Sequence, residues 1–140
     1  MEKIKNREHD FGAKLRQGSV IENLKSYVKW EREFKAGAIA ALPDCAPISI
    51  NLDLTAACNF ACPHCVDSGI INTGESLSLE NIKASLKTLT DHGLKSVILI
   101  GGGEPTLHPD FAEILTYAKQ LRLQVGLVTN GSRLHKVLPL

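Results

Sequence analysis

The stretch from Ile48 to Cys65, ISINLDLTAACNFACPHC, carries two signals in 18 residues. From Ile48 to Thr55 apolar and polar residues alternate strictly, the pattern of a β-strand. Immediately after it come Cys58, Cys62 and Cys65, three of the chain's 4 cysteines, spaced Cys-x3-Cys-x2-Cys. The remaining one, Cys45, lies upstream. Parallel α/β sheets gather reactive residues on the loops that leave the C-terminal ends of their strands. A strand that delivers a cysteine loop therefore asks for a sheet of that kind.

The residues that follow supply it. LSLENIKASLKTLTDHG (residues 77–93) reads as a helix, with Ser78 as N-cap, Leu79, Ile82, Leu86 and Leu89 as an apolar stripe, and Gly93 as its stop. SVILI (96–100) is a continuous apolar run, as in strands buried on both faces. The loop GGGEPTLHP follows. DFAEILTYAKQLR (110–122) then fits an amphipathic helix through Phe111, Ile114, Leu115, Ala118 and Leu121. LQVGLVTNG is a third strand ending in a turn, and SRLHKVLPL begins an element without finishing it. The order strand, helix, strand, helix, strand predicts right-handed βαβ units and a parallel sheet. Its cysteine, GGGEP and TNG loops would then share one rim.

Upstream, residues 1–18 lack apolar periodicity and read as a solvated tail. SVIENLKSYVKWEREFKAGAIAAL opens with Ser19 and Glu22 in capping-box spacing. Val20, Leu24, Tyr27, Val28 and Phe34 can share one face of a helix of about five turns, with Gly37 a weak point and Pro43 and Pro47 breaking the chain. There is no internal repeat and no low-complexity tract.

A chain of 140 residues suffices for one domain with a core. Lys and Arg total 16 against 15 for Asp and Glu, so no global field draws it to nucleic acid or to a membrane surface. No apolar run is long enough to span a bilayer. The N-terminal segment is of mixed charge without an apolar core, which speaks against a secretory signal. The expected location is cytoplasmic, where clustered cysteines point to metal or catalysis rather than disulfides.

Thiolates bind iron–sulfur clusters, and a cubane cluster has four ligand positions, so three cysteines leave one iron for something other than protein. The spacing matches neither the ferredoxin run nor the paired C-x2-C units of zinc ribbons. Three other readings stand beside this one: a zinc or four-cysteine site completed by Cys45, a Cys3His zinc site using His64, and unligated thiols. The glycine loop cannot be a dinucleotide fingerprint, because Thr106 occupies the third glycine position. Taken alone it is an ordinary glycine turn.

Cys58-x3-Cys62-x2-Cys65 on a first βα loop resembles the signature of the radical S-adenosylmethionine (SAM) superfamily. Gly102-Gly103-Glu104-Pro105 resembles that family's GGEP segment, and the two motifs stand in the family's order. The resemblance implies that Cys58, Cys62 and Cys65 hold a [4Fe–4S] cluster whose fourth iron is chelated by SAM. The reduced cluster would cleave SAM to methionine and a 5′-deoxyadenosyl radical that abstracts hydrogen from substrate. It implies SAM contacts at Gly102, Gly103 and Glu104, with Glu104 and the strand-end backbone engaging the SAM amino group. His64 takes the position beside the adenine, where the family commonly has an aromatic residue; an unassigned loop histidine is the alternative.

VTNG (128–131) also recurs in several branches of the family, which makes Thr129 and Asn130 candidate SAM or substrate contacts. Asn-Gly is equally a generic turn. For His108 and Asp110, helix capping is the expected role. The implied partners are an electron donor such as flavodoxin or ferredoxin and a small-molecule or peptide substrate of unknown identity.

The expected fold is α/β: a partial (βα) barrel of radical SAM type with about three βα units, preceded by an N-terminal helix, where a closed eight-unit barrel takes about 250 residues. Residues 1–45 would be tail and helix, and residues 46–140 an incomplete core, the N-terminal portion of a longer protein. A non-catalytic iron–sulfur or zinc module using Cys45, or a truncated inactive chain, are the alternatives. Substrate and reaction branch are not readable.

Overall fold

The computed structural model describes residues 18–138. The tail expected before Gly18 lies outside the described residues, as does the Ser19 side chain on which the capping box rests. The chain divides into one unit up to Ala46 and another from Pro47 onward.

In the first unit, helix α1 spans Gly18–Lys35. Its end is set by Gly37, whose φ of +72° is a left-handed conformation that glycine adopts without a Cβ penalty. Ala38 N–H donates to Glu33 O at 2.9 Å and Gly37 N–H to Phe34 O at 3.0 Å, the paired bonds of a Schellman stop. Gly37 therefore terminates the helix rather than weakening it. The expected apolar face also divides: Val20 is buried, whereas Tyr27 and Phe34 remain 46% and 48% exposed. Tyr27 and Phe34 flank Trp30, which stacks on Phe34 at 5.1 Å and donates its indole N–H to Ala41 O at 2.7 Å. The aromatic side of the stripe thus holds the returning chain instead of entering a core.

The second unit is built on three parallel strands in the order β1 (Ser49–Asp53), β2 (Ser96–Ile100) and β3 (Gln124–Leu127). Helix α2 (Leu79–Asp91) lies between the first two and helix α3 (Phe111–Gln120) between the last two. A one-turn helix, α4 (Leu134–Val137), follows β3. The expected mixed α/β order and parallel sheet are therefore present. Ser78 caps α2 as expected, its hydroxyl accepting the Asn81 N–H at 3.2 Å. Gly93 stops it with φ +104° and a Leu94 N–H bond to Leu89 O at 2.9 Å. Asp110 does not cap α3: it occupies the N-cap position, but its side chain makes no capping bond.

The core joins Val97 and Leu99 of β2 to Ile82 and Leu86 of α2 and to Ile114 and Ala118 of α3, all between 0% and 1% exposed. Burying each large side chain among them contributes about 1.5–3 kcal/mol of transfer free energy. SVILI differs from its expectation: Val97 and Leu99 are buried, but Ser96, Ile98 and Ile100 are only half-buried. On that second face, the described residues of β1 present the polar, exposed Ser49, Asn51 and Asp53. Asp53 pairs with Ile100 and Leu99 with Leu127, so the three strand ends are level and their loops leave one rim.

Candidate cofactor site

The rim is assembled by backbone first. Beyond β1, residues Leu54 to Ala56 are met by the chain returning from the cysteine loop. Ala56 N–H donates to Glu75 O at 2.9 Å, Leu77 N–H to Leu54 O at 3.0 Å, and Thr55 bridges Ser76 in antiparallel sense. The second loop closes on the same segment: Gly103 N–H donates to Thr55 O and Glu104 N–H to Ala57 O, both at 2.8 Å. This approach is so close that a Cβ on Gly103 would lie 2.1 Å from Ala57 O. Gly102, at φ +56°, makes the turn into it.

Glu104 is the knot of the rim. It is 2% exposed and accepts four hydrogen bonds. Its Oε1 takes the Thr106 N–H (3.1 Å), the Thr106 hydroxyl (2.6 Å) and the Thr129 hydroxyl (2.6 Å). Its Oε2 takes the Asn130 N–H at 2.7 Å. Burial pushes the carboxyl up, but the bonds from Thr106, Thr129 and Asn130 outweigh it and hold the group below the ordinary 4.5. The second and third loops are thereby fastened through one buried carboxylate. Oε2, with a single bond, keeps acceptor capacity that an ammonium group would use.

The cysteine loop is held from two sides. Cys58 N–H donates to Asn72 Oδ1 at 2.9 Å, and Asn72 adopts φ 60° while donating its own N–H to Ala56 O at 2.7 Å. On the other side Asn59 bonds to Asn130 and Ser132 of the third loop. Sequence reasoning missed both Asn59 and Asn72. For Asn72 the available signal was the residue type, since asparagine tolerates the left-handed region where β-branched residues do not. For Asn59 there was none.

The site residues read from sequence fall as follows. Cys58, Cys62 and Cys65 are free thiols, Cys62 exposed and the other two half-buried. Phe60 N–H points at Cys58 Sγ at 3.5 Å. His64 is exposed on the same loop. Gly102, Gly103 and Glu104 stand beside that loop on the rim. Thr129 gives its hydroxyl to Glu104 and Asn130 gives its side chain to Asn59, so both face the rim's own network. His108 is buried and fixed at both ring nitrogens, Nε2 by Leu77 O at 2.8 Å and Nδ1 by the Asp110 N–H at 3.1 Å. It staples the second loop to the entrance of α2. Cys45 belongs to the first unit.

Among the described residues, no three His, Cys, Asp or Glu side chains converge as a single metal ion would need. Three thiols on one loop instead suit a cubane cluster, in which each thiolate binds a separate iron and soft sulfur donors are the natural ligands. The donor set therefore fits such a cluster. A cleft of about 350 Å³ lies against the rim, with Asp53, Thr55, Glu75 and Gly102 in its lining.

Several known proteins are similar to this chain in sequence. Mycofactocin maturase MftC of Mycobacterium tuberculosis is 39% identical over 89 residues, which is 64% of this chain and 22% of that protein. An S-adenosylmethionine-dependent nucleotide dehydratase of Selenomonas ruminantium is 37% identical over 83 residues, 59% of this chain and 30% of that protein. A GTP 3′,8-cyclase of Vibrio atlanticus is 39% identical over 93 residues, 62% of this chain and 28% of that protein. The chain thus spans less than a third of the length of these relatives. No solved structure matches it. Residues 52–140 match the family model described as Radical SAM superfamily. The chain belongs to the radical SAM superfamily, whose members use a [4Fe–4S] cluster and S-adenosylmethionine.

Proposed function

We propose that this chain is the cluster-bearing part of a radical SAM enzyme, with Cys58, Cys62 and Cys65 as the three cluster ligands. The observation that carries this reading is the loop itself: three free thiols after β1, on a loop whose leading segment, Thr55 to Ala57, is bonded to Gly103 and the buried Glu104 of the second loop. Cys58, Cys62 and Cys65 would hold the cluster, which, once bound and reduced, would supply the electron for reductive cleavage of SAM and so for hydrogen abstraction from substrate.

The chain's own residues bind and orient. Asn72 fixes the start of the cysteine loop through the Cys58 N–H. Gly102 and Gly103 let the second loop close on the segment that leads into Cys58, and its backbone would meet the amino acid end of SAM. Glu104 Oε2 offers a lone pair to its ammonium, while Oε1 holds Thr106 and Thr129 in place. His64, exposed on the loop, stacks on or hydrogen-bonds the adenine. Thr129 and Asn130 hold Glu104 in place from the third loop, and through it would bear on SAM or substrate.

The named relatives comprise a maturase, a nucleotide dehydratase and a GTP cyclase, yet each is similar to this chain over 59% to 64% of this chain's length. Radical generation is the part they have in common, and the parent's substrate, small molecule or peptide, is selected by other residues. A flavodoxin- or ferredoxin-type protein supplies the electron. Residues 46–140 are then a portion of a partial barrel. Among the described residues no helix is long and apolar enough to cross a membrane.

The test is anaerobic reconstitution of the full-length protein with iron and sulfide, followed by reduction in the presence of SAM. The expected product is 5′-deoxyadenosine. A protein with a complete cluster that releases none would sink the proposal.

A further inference from the structure

Asn59, inside the spacer between Cys58 and Cys62, uses both ends of its amide on the third loop. Its Oδ1 accepts from Asn130 Nδ2 at 3.0 Å, and its Nδ2 donates to Ser132 Oγ at 3.0 Å. Asn130 is engaged at both ends as well, its Oδ1 accepting the Ser132 N–H at 2.9 Å. Its backbone N–H is the donor that reaches Glu104 Oε2 at 2.7 Å. Two residues thus connect the buried carboxylate of the second loop to the residue that follows Cys58. The cysteine and third loops are more than 70 residues apart in sequence and have no strand pairing with each other.

We propose that Asn59 is a positioning residue: paired with Asn130, it sets the orientation of the Cys58–Cys62 segment against the Glu104 rim and so couples the cluster loop to the SAM side of the site. This rests on the functional reading above. Asn59 and Asn130 are both exposed, so water competes for their bonds and the pair adds little to global stability. An amide held at both ends by one loop, Oδ1 by Asn130 and Nδ2 by Ser132, restricts how the two loops turn against each other, which is a matter of orientation. The consequence at the metal side is specific. The next peptide N–H, that of Phe60, points at Cys58 Sγ at 3.5 Å. Hydrogen bonds to cluster sulfurs tune reduction potential, so releasing Asn59 changes the cluster's potential as well as its alignment.

The test uses the full-length protein, reconstituted anaerobically, as wild type, Asn59→Ala, Asn130→Ala, the double variant and Asn59→Asp, which keeps the acceptor for Asn130. Three quantities are read: the unfolding midpoint before iron is added, the cluster's reduction potential, and the SAM concentration that half-saturates the change in the reduced cluster's EPR spectrum. Asn59→Ala is expected to leave the midpoint unchanged, move the potential, and raise the half-saturating SAM concentration about fivefold or more. In the Asn130→Ala background the Asn59→Ala change should add almost nothing, because the two residues act as one unit. Asn59→Asp should recover most of the loss. The proposal is overturned if Asn59→Ala loads a cluster with unaltered potential and SAM response, if its only effect is a lower unfolding midpoint, or if the two alanine effects simply multiply. A wild type that loads no [4Fe–4S] cluster overturns the functional reading itself, and the positioning role of Asn59 falls with it.

Discussion

Gly103 has no room for a side chain, because a Cβ there would press into the carbonyl of Ala57 at 2.1 Å. The clash is with backbone, so no rotamer relieves it. Gly103→Ala should therefore part the second loop from the segment that leads into Cys58, at a cost of about 1–3 kcal/mol or more. Gly101→Ala is the control, since its Cβ would meet nothing closer than Asp67 Oδ2 at 3.4 Å. Urea denaturation of the two variants should separate them clearly; equal midpoints would show that the close approach does not hold the rim.

Glu104 makes a second prediction. Its folded pKa is depressed below the ordinary 4.5, so its stabilisation is complete above that pH and is lost as pH falls through the lowered value. Glu104→Gln places an NH2 against donors and should cost about 1–3 kcal/mol at neutral pH. The stability gap between the two proteins should close on acidification below pH 4.5. A gap that is constant with pH would contradict the ionised knot. The GGEP segment was visible as a motif, but not the knot, because Thr129 and Asn130 lie 25 and 26 residues away from Glu104. Asn59 was invisible for a different reason: asparagine in a loop is a generic turn residue until its partner is known.

Among the elements, the ends of α2 were the most legible. Ser78 and Gly93 bracket α2 as their residue types demand, and the parallel strands follow from the alternation of strand and helix patterns. SVILI was misjudged because an apolar run does not state how many of its faces are covered. Ile98 and Ile100 stay half-buried on the face that Asn51 and Asp53 share. One element boundary carries strain that the sequence did not announce. Arg122 follows α3 at φ 59°, with Leu123 N–H bonded to Ala118 O at 3.1 Å, a stop of the kind glycine makes at Gly37 and Gly93. A side chain in that conformation costs about 1–2 kcal/mol. Arg122→Gly should recover about 1 kcal/mol of it as a higher unfolding midpoint. A lower midpoint would mean that the arginine side chain contributes more than its backbone loses.

For the molecule as a whole, the two structural units divide the cysteines: Cys45 before the boundary, and Cys58, Cys62 and Cys65 after it. The cluster reading needs only the latter three. Cys45→Ala should leave iron and sulfide content unchanged after reconstitution, whereas alanine at Cys58, Cys62 or Cys65 should lose the cluster. Loss of metal in Cys45→Ala would restore the four-ligand alternative. The three-loop rim was legible from motif order alone, but its closure was not, because it depends on contacts among loops that no local pattern encodes. The direct measurement is the EPR spectrum of the reduced, reconstituted protein with and without SAM. A three-thiolate cluster with one iron left for SAM predicts a [4Fe–4S] signal whose g-values shift when SAM is added. A loaded cluster whose spectrum SAM leaves unchanged would contradict it.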